Sequence, residues 1–143
     1  MTESPKPTDA PDSTKAAAIF EKAKALTDEG GFDEAVDIYL QGIKLAPQDL
    51  EAIQALRDCS LRRKAAGGPP LGSLARLWML RRATDLQRFL NALKLLAYSP
   101  GDVDHMRAVL RASYKCGYDE VTEWIAAIIK RAIHEQRRFN WPW

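Results

Sequence analysis

Gly31-Phe32-Asp33-Glu34-Ala35 and Gly117-Tyr118-Asp119-Glu120-Val121 are near copies of one pentad, and each joins two stretches with apolar residues at helical spacing. A turn that recurs between helices marks a stacked helical repeat, in which no single unit can bury its apolar face alone. Outward from the first pentad, Ile19, Phe20, Ala23 and Leu26 form the stripe of a first helix expected from about Ser13 to Glu29, stopped by Gly30-Gly31. On the other side, Ala35, Ile38, Tyr39, Gly42 and Ile43 form the stripe of a second helix. Asp33 and Glu34 stand in its first turn, where carboxylates oppose the helix dipole, and Pro47 ends it.

At 143 residues the chain has the length of one domain with a real core. Ala, Leu, Lys, Arg and Glu dominate, so an all-α fold is expected. The net charge of +2 conceals an asymmetry: residues 1–50 carry 5 basic and 10 acidic side chains, and residues 51–143 carry 16 and 9. No apolar run reaches the roughly 18 residues of a spanning helix. The start, Met1-Thr2-Glu3-Ser4-Pro5-Lys6, lacks the basic-then-apolar order of a signal peptide, and no lipidation motif closes the chain, so a cytoplasmic protein is expected. Cys59 and Cys116 fit neither a disulfide framework nor a metal spacing and read as reduced small hydrophobes.

Ala23, Leu26, Gly31, Phe32, Ala35, Tyr39, Gly42 and Pro47 resemble the signature of the tetratricopeptide repeat, a helix–turn–helix unit of about 34 residues. The resemblance covers residues 16–49 closely and some 100 residues loosely. Its spacing has a physical reason, because small residues at Ala23, Ala35 and Gly42 let paired helices approach while Phe32 and Tyr39 fill the gap. It implies a solenoid of about three units over residues 14–138, after a disordered acidic tail at 1–13. Helix 3, about 50–65, packs Ile53, Leu56 and Leu61 and opens the second unit. The matching second helix is displaced to 84–98, with Phe89, Leu90, Leu93, Leu96 and Ala97 as its stripe. Pro47 and Pro100 stand 53 residues apart, one repeat plus an insertion of 19, placed at about 66–83. The third unit opens at Asp102, a helix cap, and runs through Met106, Val109 and Leu110 to Gly117, then through Val121, Trp124, Ile125, Ile128 and Ile129. Gly31 and Gly117 are 86 apart, one residue short of register.

In this family the first helix of each unit lines a concave groove that holds a peptide. Carried over, the resemblance places Phe20, Lys24 and Asp28, then Glu51, Gln54 and Asp58, then Asp104, Arg107, Arg111, Tyr114 and Lys115 on that groove. Arg107, Arg111 and Lys115 are four residues apart and share a helix face, able to hold a carboxylate or acidic peptide; an ordinary solvated face is the alternative. Phe20, Ala55 and Ala108 occupy positions where relatives that clamp a C-terminal carboxylate carry other residues, which disfavours a chaperone-tail adaptor.

The insertion reads as a short basic amphipathic helix, with Leu74, Leu77, Trp78 and Arg81 on one stripe. Residues 57–88 hold 8 basic and 2 acidic side chains. The segment either folds Trp78 and Leu77 back onto the second unit, or docks a partner or second copy through Trp78, or meets an anionic membrane or nucleic acid. The last is disfavoured, since the basic run lacks interleaved aromatics and the pI is only about 8.6. The closing Phe139-Asn140-Trp141-Pro142-Trp143 either caps the last repeat or inserts Trp141 and Trp143 into a partner. His105 and His134 share no ligand set, and no phosphate loop or nucleophile elbow is present, so no cofactor, metal or catalysis is expected. The sequence thus points to a non-catalytic module binding another protein or peptide, acidic in character. A self-assembling homo-oligomeric scaffold is the runner-up.

Overall fold

The computed structural model describes residues 9–79, 81 and 83–139, with side chains for all of these except 9–12, 78, 138 and 139. Seven α-helices are present among them: α1 (Asp9–Asp28), α2 (Phe32–Leu45), α3 (Leu50–Ala65), α4 (Ser73–Trp78), α5 (Asp85–Tyr98), α6 (Val103–Cys116) and α7 (Asp119–Phe139). The chain is all-helical over the described residues.

The caps explain the boundaries. Asp49, Thr84 and Asp102 each accept a backbone N–H from the first turn of α3, α5 and α6, satisfying donors that a helix start leaves open. Two boundaries differ from expectation. Helix α1 begins at Asp9, inside the stretch 1–13 assigned to a flexible tail, because Pro11 lies in the first turn, where its missing N–H costs no helical bond. Residues 1–8 lie outside the described set. At the other end α7 runs on through Phe139, which the sequence places in the aromatic tail.

The duplicated pentad is a duplicated helix stop, displaced by one residue. Gly30 takes φ +86° and Gly117 φ +79°, and each sits in the same double bond pattern. Gly31 N–H donates to the Leu26 carbonyl at 2.8 Å and Tyr118 N–H to the Ser113 carbonyl at 2.9 Å. The structural partner of Gly117 is therefore Gly30, 87 residues away, not Gly31. The buried faces keep the other offset: Ala35, Tyr39 and Ile43 in α2 answer to Val121, Ile125 and Ile129 in α7, 86 apart. One residue is absorbed at the turn, so α7 starts one position later relative to its own buried face.

Packing follows chain order with α4 left out. Helix α1 pairs with α2, α2 with α3, α5 lies on both α2 and α3, α6 on α5, and α7 on α6. The helix expected at 84–98 is α5, and it packs on both α2 and α3. The α1–α2 contact is as close as its small residues allow. A Cβ on Gly42 would stand 2.3 Å from Phe20 Cε1, and Phe20 itself stacks on Tyr39 at 6.4 Å between centroids. At the other end fully buried Phe89 meets Tyr118 edge-on at 5.2 Å. Trp124 of α7, partly buried against the core, lines a small gap together with Ile53 and Leu56 of α3 and Leu93 and Leu96 of α5. Leu61, expected in the core, is 47 % exposed.

One buried cation ties four segments together. Arg63, 3 % exposed, donates from Nε to Asp33 at 2.6 Å and from Nη2 to the Pro69 carbonyl at 2.6 Å, and stacks over the Tyr98 ring at 4.2 Å. It fastens the end of α3 to the start of α2, to the loop after α3 and to the end of α5. Burial raises the Tyr98 phenol above its usual range, with the nearby Asp33 and Asp37 carboxylates adding to the effect.

Candidate binding cleft

Helices α5 and α6 carry matching faces. In α5, Asp85, Arg88, Ala92 and Leu95 recur at helical spacing; in α6, Ala108, Arg111, Ala112 and Lys115 do the same. The two faces and the segment from Ser73 to Met79 enclose an open cleft of about 700 Å³. Small residues, Ala92, Ala108 and Ala112, leave the space, and Leu95, Leu77 and Met79 give it an apolar lining.

Four cations stand around this lining, Arg76, Arg88, Arg111 and Lys115, against one carboxylate, Asp85. Asp85 is shared between Arg88 Nη1 at 3.4 Å and Lys115 Nζ at 3.9 Å. Both pairs are about half exposed, and such pairs contribute at most about 1 kcal/mol, so a ligand carboxylate could replace Asp85 at little cost. Arg76 and Arg111 form no ion pair with a described residue.

The residues expected on a single groove are dispersed. Arg111 and Lys115 come together in the cleft just described, facing α4 and α5. Lys24, on α1, and Tyr114, which is 77 % exposed, line neither the α5–α6 cleft nor the one between α3 and α7. Arg107 points to Asp104 within its own helix at 3.5 Å. Gln54 and Asp58 of α3 instead share a cleft of about 730 Å³ with Ala127, Ile128 and Arg131 of α7. The physical reason is which helices face each other: residues of α3 and α7 line the two sides of that cleft, whereas the Arg-bearing face of α6 lines the cleft toward α5 and the insertion.

The insertion is shorter and less packed than expected. Of the three readings of the insertion, the one that packs Leu77 onto neighbouring helices is not met, since Leu74 and Leu77 are 70 % and 61 % exposed. Six residues of α4 make too short a helix to bury a full stripe. The Trp78 side chain, Trp141 and Trp143 lie outside the described residues. The basic run 57–88 is not one surface. Arg63 is buried, Arg62 pairs with Asp28 at 3.2 Å, and Arg57 is half-buried with Nη1 on the Pro100 carbonyl at 3.3 Å. Burial, and then the repulsion of Arg131, pulls the Arg57 guanidinium below its usual value.

Cys59 is fully buried, with its thiol 3.9 Å from the Phe32 carbonyl; burial pushes its pKa up and makes it a poor nucleophile. Cys116 is half-buried, and burial raises its thiol too. His105 faces its own cap, 3.4 Å from Asp102. Among the described residues no three His, Cys, Asp or Glu side chains converge on a metal-sized site, and no helix is long and apolar enough to cross a membrane.

Sequence reasoning passed over Arg76, Arg88 and Leu95 as site residues. The signal was present in the 85–88–92–95 and 108–111–112–115 spacings, which put Arg88 and Leu95 on one face of α5 and Arg111 and Lys115 on one face of α6. That the two faces meet is a tertiary fact. No family model, curated protein or solved structure matches the chain, so the class rests on its own fold: an all-α protein of sequentially packed helices with a basic, apolar-floored cleft over its fifth and sixth.

Proposed function

We propose that the protein is a non-catalytic interaction module that holds a segment of another protein in the cleft between α5, α6 and the insertion, and that it belongs to the tetratricopeptide-like solenoids. The observation that carries this reading is Arg76 and Arg111, without carboxylate partners among the described residues, flanking an open apolar floor. Cations at the rim of an apolar groove orient a ligand by charge and hold it by burial. The solenoid assignment is supported by sequential helix pairing and by Gly42, whose missing side chain admits Phe20 as the repeat pattern requires. The binding surface then differs from the family's concave groove, since Lys24 takes no part in it.

Site-directed photo-crosslinking tests this. A photoreactive residue at Leu95 should give discrete, nuclease-resistant protein adducts in native lysate that Arg111→Glu removes, whereas the same residue at Lys24 should not. Equal labelling at both positions, or none at Leu95, would overturn the cleft as the binding surface.

A second reading, self-association through α4, has its own observation in the exposed Leu74 and Leu77. It requires a mass that rises with concentration and returns to the monomer in Leu74→Glu/Leu77→Glu.

A further inference from the structure

A second cleft, of about 640 Å³, lies on the far side of the insertion, between α2 and α5. It repeats the chemistry of the first. Leu40 and Leu90 give it an aliphatic lining, and Lys44, Arg81 and Lys94 stand around it against one carboxylate, Asp37. That carboxylate is already taken by Lys94 at 3.3 Å. Met79 and Asn91 line both clefts, so the two adjoin there. Together they gather seven of the chain's 21 basic side chains and two of its 19 acidic ones, in a protein whose net charge is only +2.

We infer that the two clefts form one continuous seat, crossed at Met79, for an acidic amphipathic helix of a protein partner. This rests on the reading of the α5–α6 cleft as a partner-binding surface and extends it to α2. Carboxylates on one face of such a helix meet Lys44 at one end and Arg111 at the other. Leu or Ala residues on its other face cover Leu40, Met79 and Leu95. Exposed ion pairs are exchanged at little net cost, so Asp37 and Asp85 yield their cations to the incoming carboxylates and the buried aliphatic area supplies the affinity. The aliphatic floor of Leu40, Met79 and Leu95 favours an amphipathic helix over a polynucleotide, which the charge alone would also suit.

The test uses the full chain and three labelled probes in fluorescence anisotropy. One is a synthetic helix of about 18 residues, some 27 Å long, with Glu on one face and Leu and Ala on the other. The second has the same composition shuffled so that no amphipathic face forms, and the third is a single-stranded oligonucleotide. The amphipathic probe should bind best. Arg111→Glu and Lys44→Glu should each weaken it about tenfold or more, and Lys24→Glu should leave it unchanged. All three replaced residues are exposed, and circular dichroism checks that each variant keeps its helicity. If Arg111→Glu weakens binding and Lys44→Glu does not, the continuous seat is wrong while the partner cleft stands. If neither does, both readings fall. Equal binding of the shuffled probe, or tighter binding of the oligonucleotide lost in the same variants, overturns the acidic-helix assignment.

Discussion

Adding one methyl group at Gly42 should change sign in its effect on stability according to whether Phe20 is present. The Cβ of Gly42→Ala would lie 2.3 Å from Phe20 Cε1, 2.7 Å from Cδ1 and 3.0 Å from Cζ, where carbon atoms prefer about 3.5–4 Å. The ring must therefore move by about 1 Å, and Tyr39, stacked on it, resists. Overpacking of this kind costs about 1–3 kcal/mol. Replacing glycine inside a helix by alanine returns about 1 kcal/mol. The net expectation is a loss of about 1 kcal/mol, a Tm lower by about 2–4 °C for a chain of this size. In a Phe20→Ala background the obstruction is gone and only the propensity gain remains, so the same substitution should raise Tm by a similar amount. Thermal denaturation followed by circular dichroism on the four proteins of this cycle gives a coupling of about 1–3 kcal/mol. A Gly42→Ala protein more stable than the parent, or a coupling near zero, would mean that Phe20 does not rest on Gly42 and that the α1–α2 packing is wrong.

Arg63→Ala should cost about 2–3 kcal/mol in urea denaturation through the lost Pro69 bond, the Tyr98 stack and the side chain's packing; Asp33→Asn should cost less than about 1 kcal/mol, because Asp33 is mostly exposed. Equal losses in the two variants would place the stabilisation in the ion pair alone. Stability should fall in alkali. Burial raises the thiols of Cys59 and Cys116 above 9.0 and the phenols of Tyr39, Tyr98 and Tyr118 above 10.0. Above those ordinary values the unfolded chain has lost protons that the folded chain keeps, so the urea midpoint should be flat near neutrality and decline from about pH 9 upward; a rising midpoint there would contradict the burial of these groups. A thiol reagent should label Cys116 first and Cys59 only on unfolding, read by mass spectrometry, and prompt labelling of Cys59 in the native protein would show that the α2–α3 contact opens readily.

Helix content, the boundaries of α2, α3, α5 and α6 and most of the buried stripe were legible from spacing, because a helix declares its apolar face and its caps within a few residues. Asp49, Thr84 and Asp102 are local signals of this kind, and so is the glycine that ends α1 or α6. The candidate site was legible only in halves. Arg111 and Lys115 could be placed on one helix face, yet Arg88 and Leu95 opposite them could not. No local pattern records which faces of different helices meet.

By itself, the chain's sequence determined an all-helical polymer of amphipathic segments joined by glycine stops, since dihedral preference and periodicity act over a single turn. Tertiary packing decided the rest. Packing of α6 on α5 brings Arg111 and Lys115 beside Arg88, Leu95 and the insertion rather than beside Lys24. Tertiary packing also decided that Arg63, one of eight cations in an apparently continuous basic run, is a buried tie between helices. Burial of a charge depends on partners 30 or more residues away in the chain, Asp33 and Tyr98, and only the folded arrangement brings them to it.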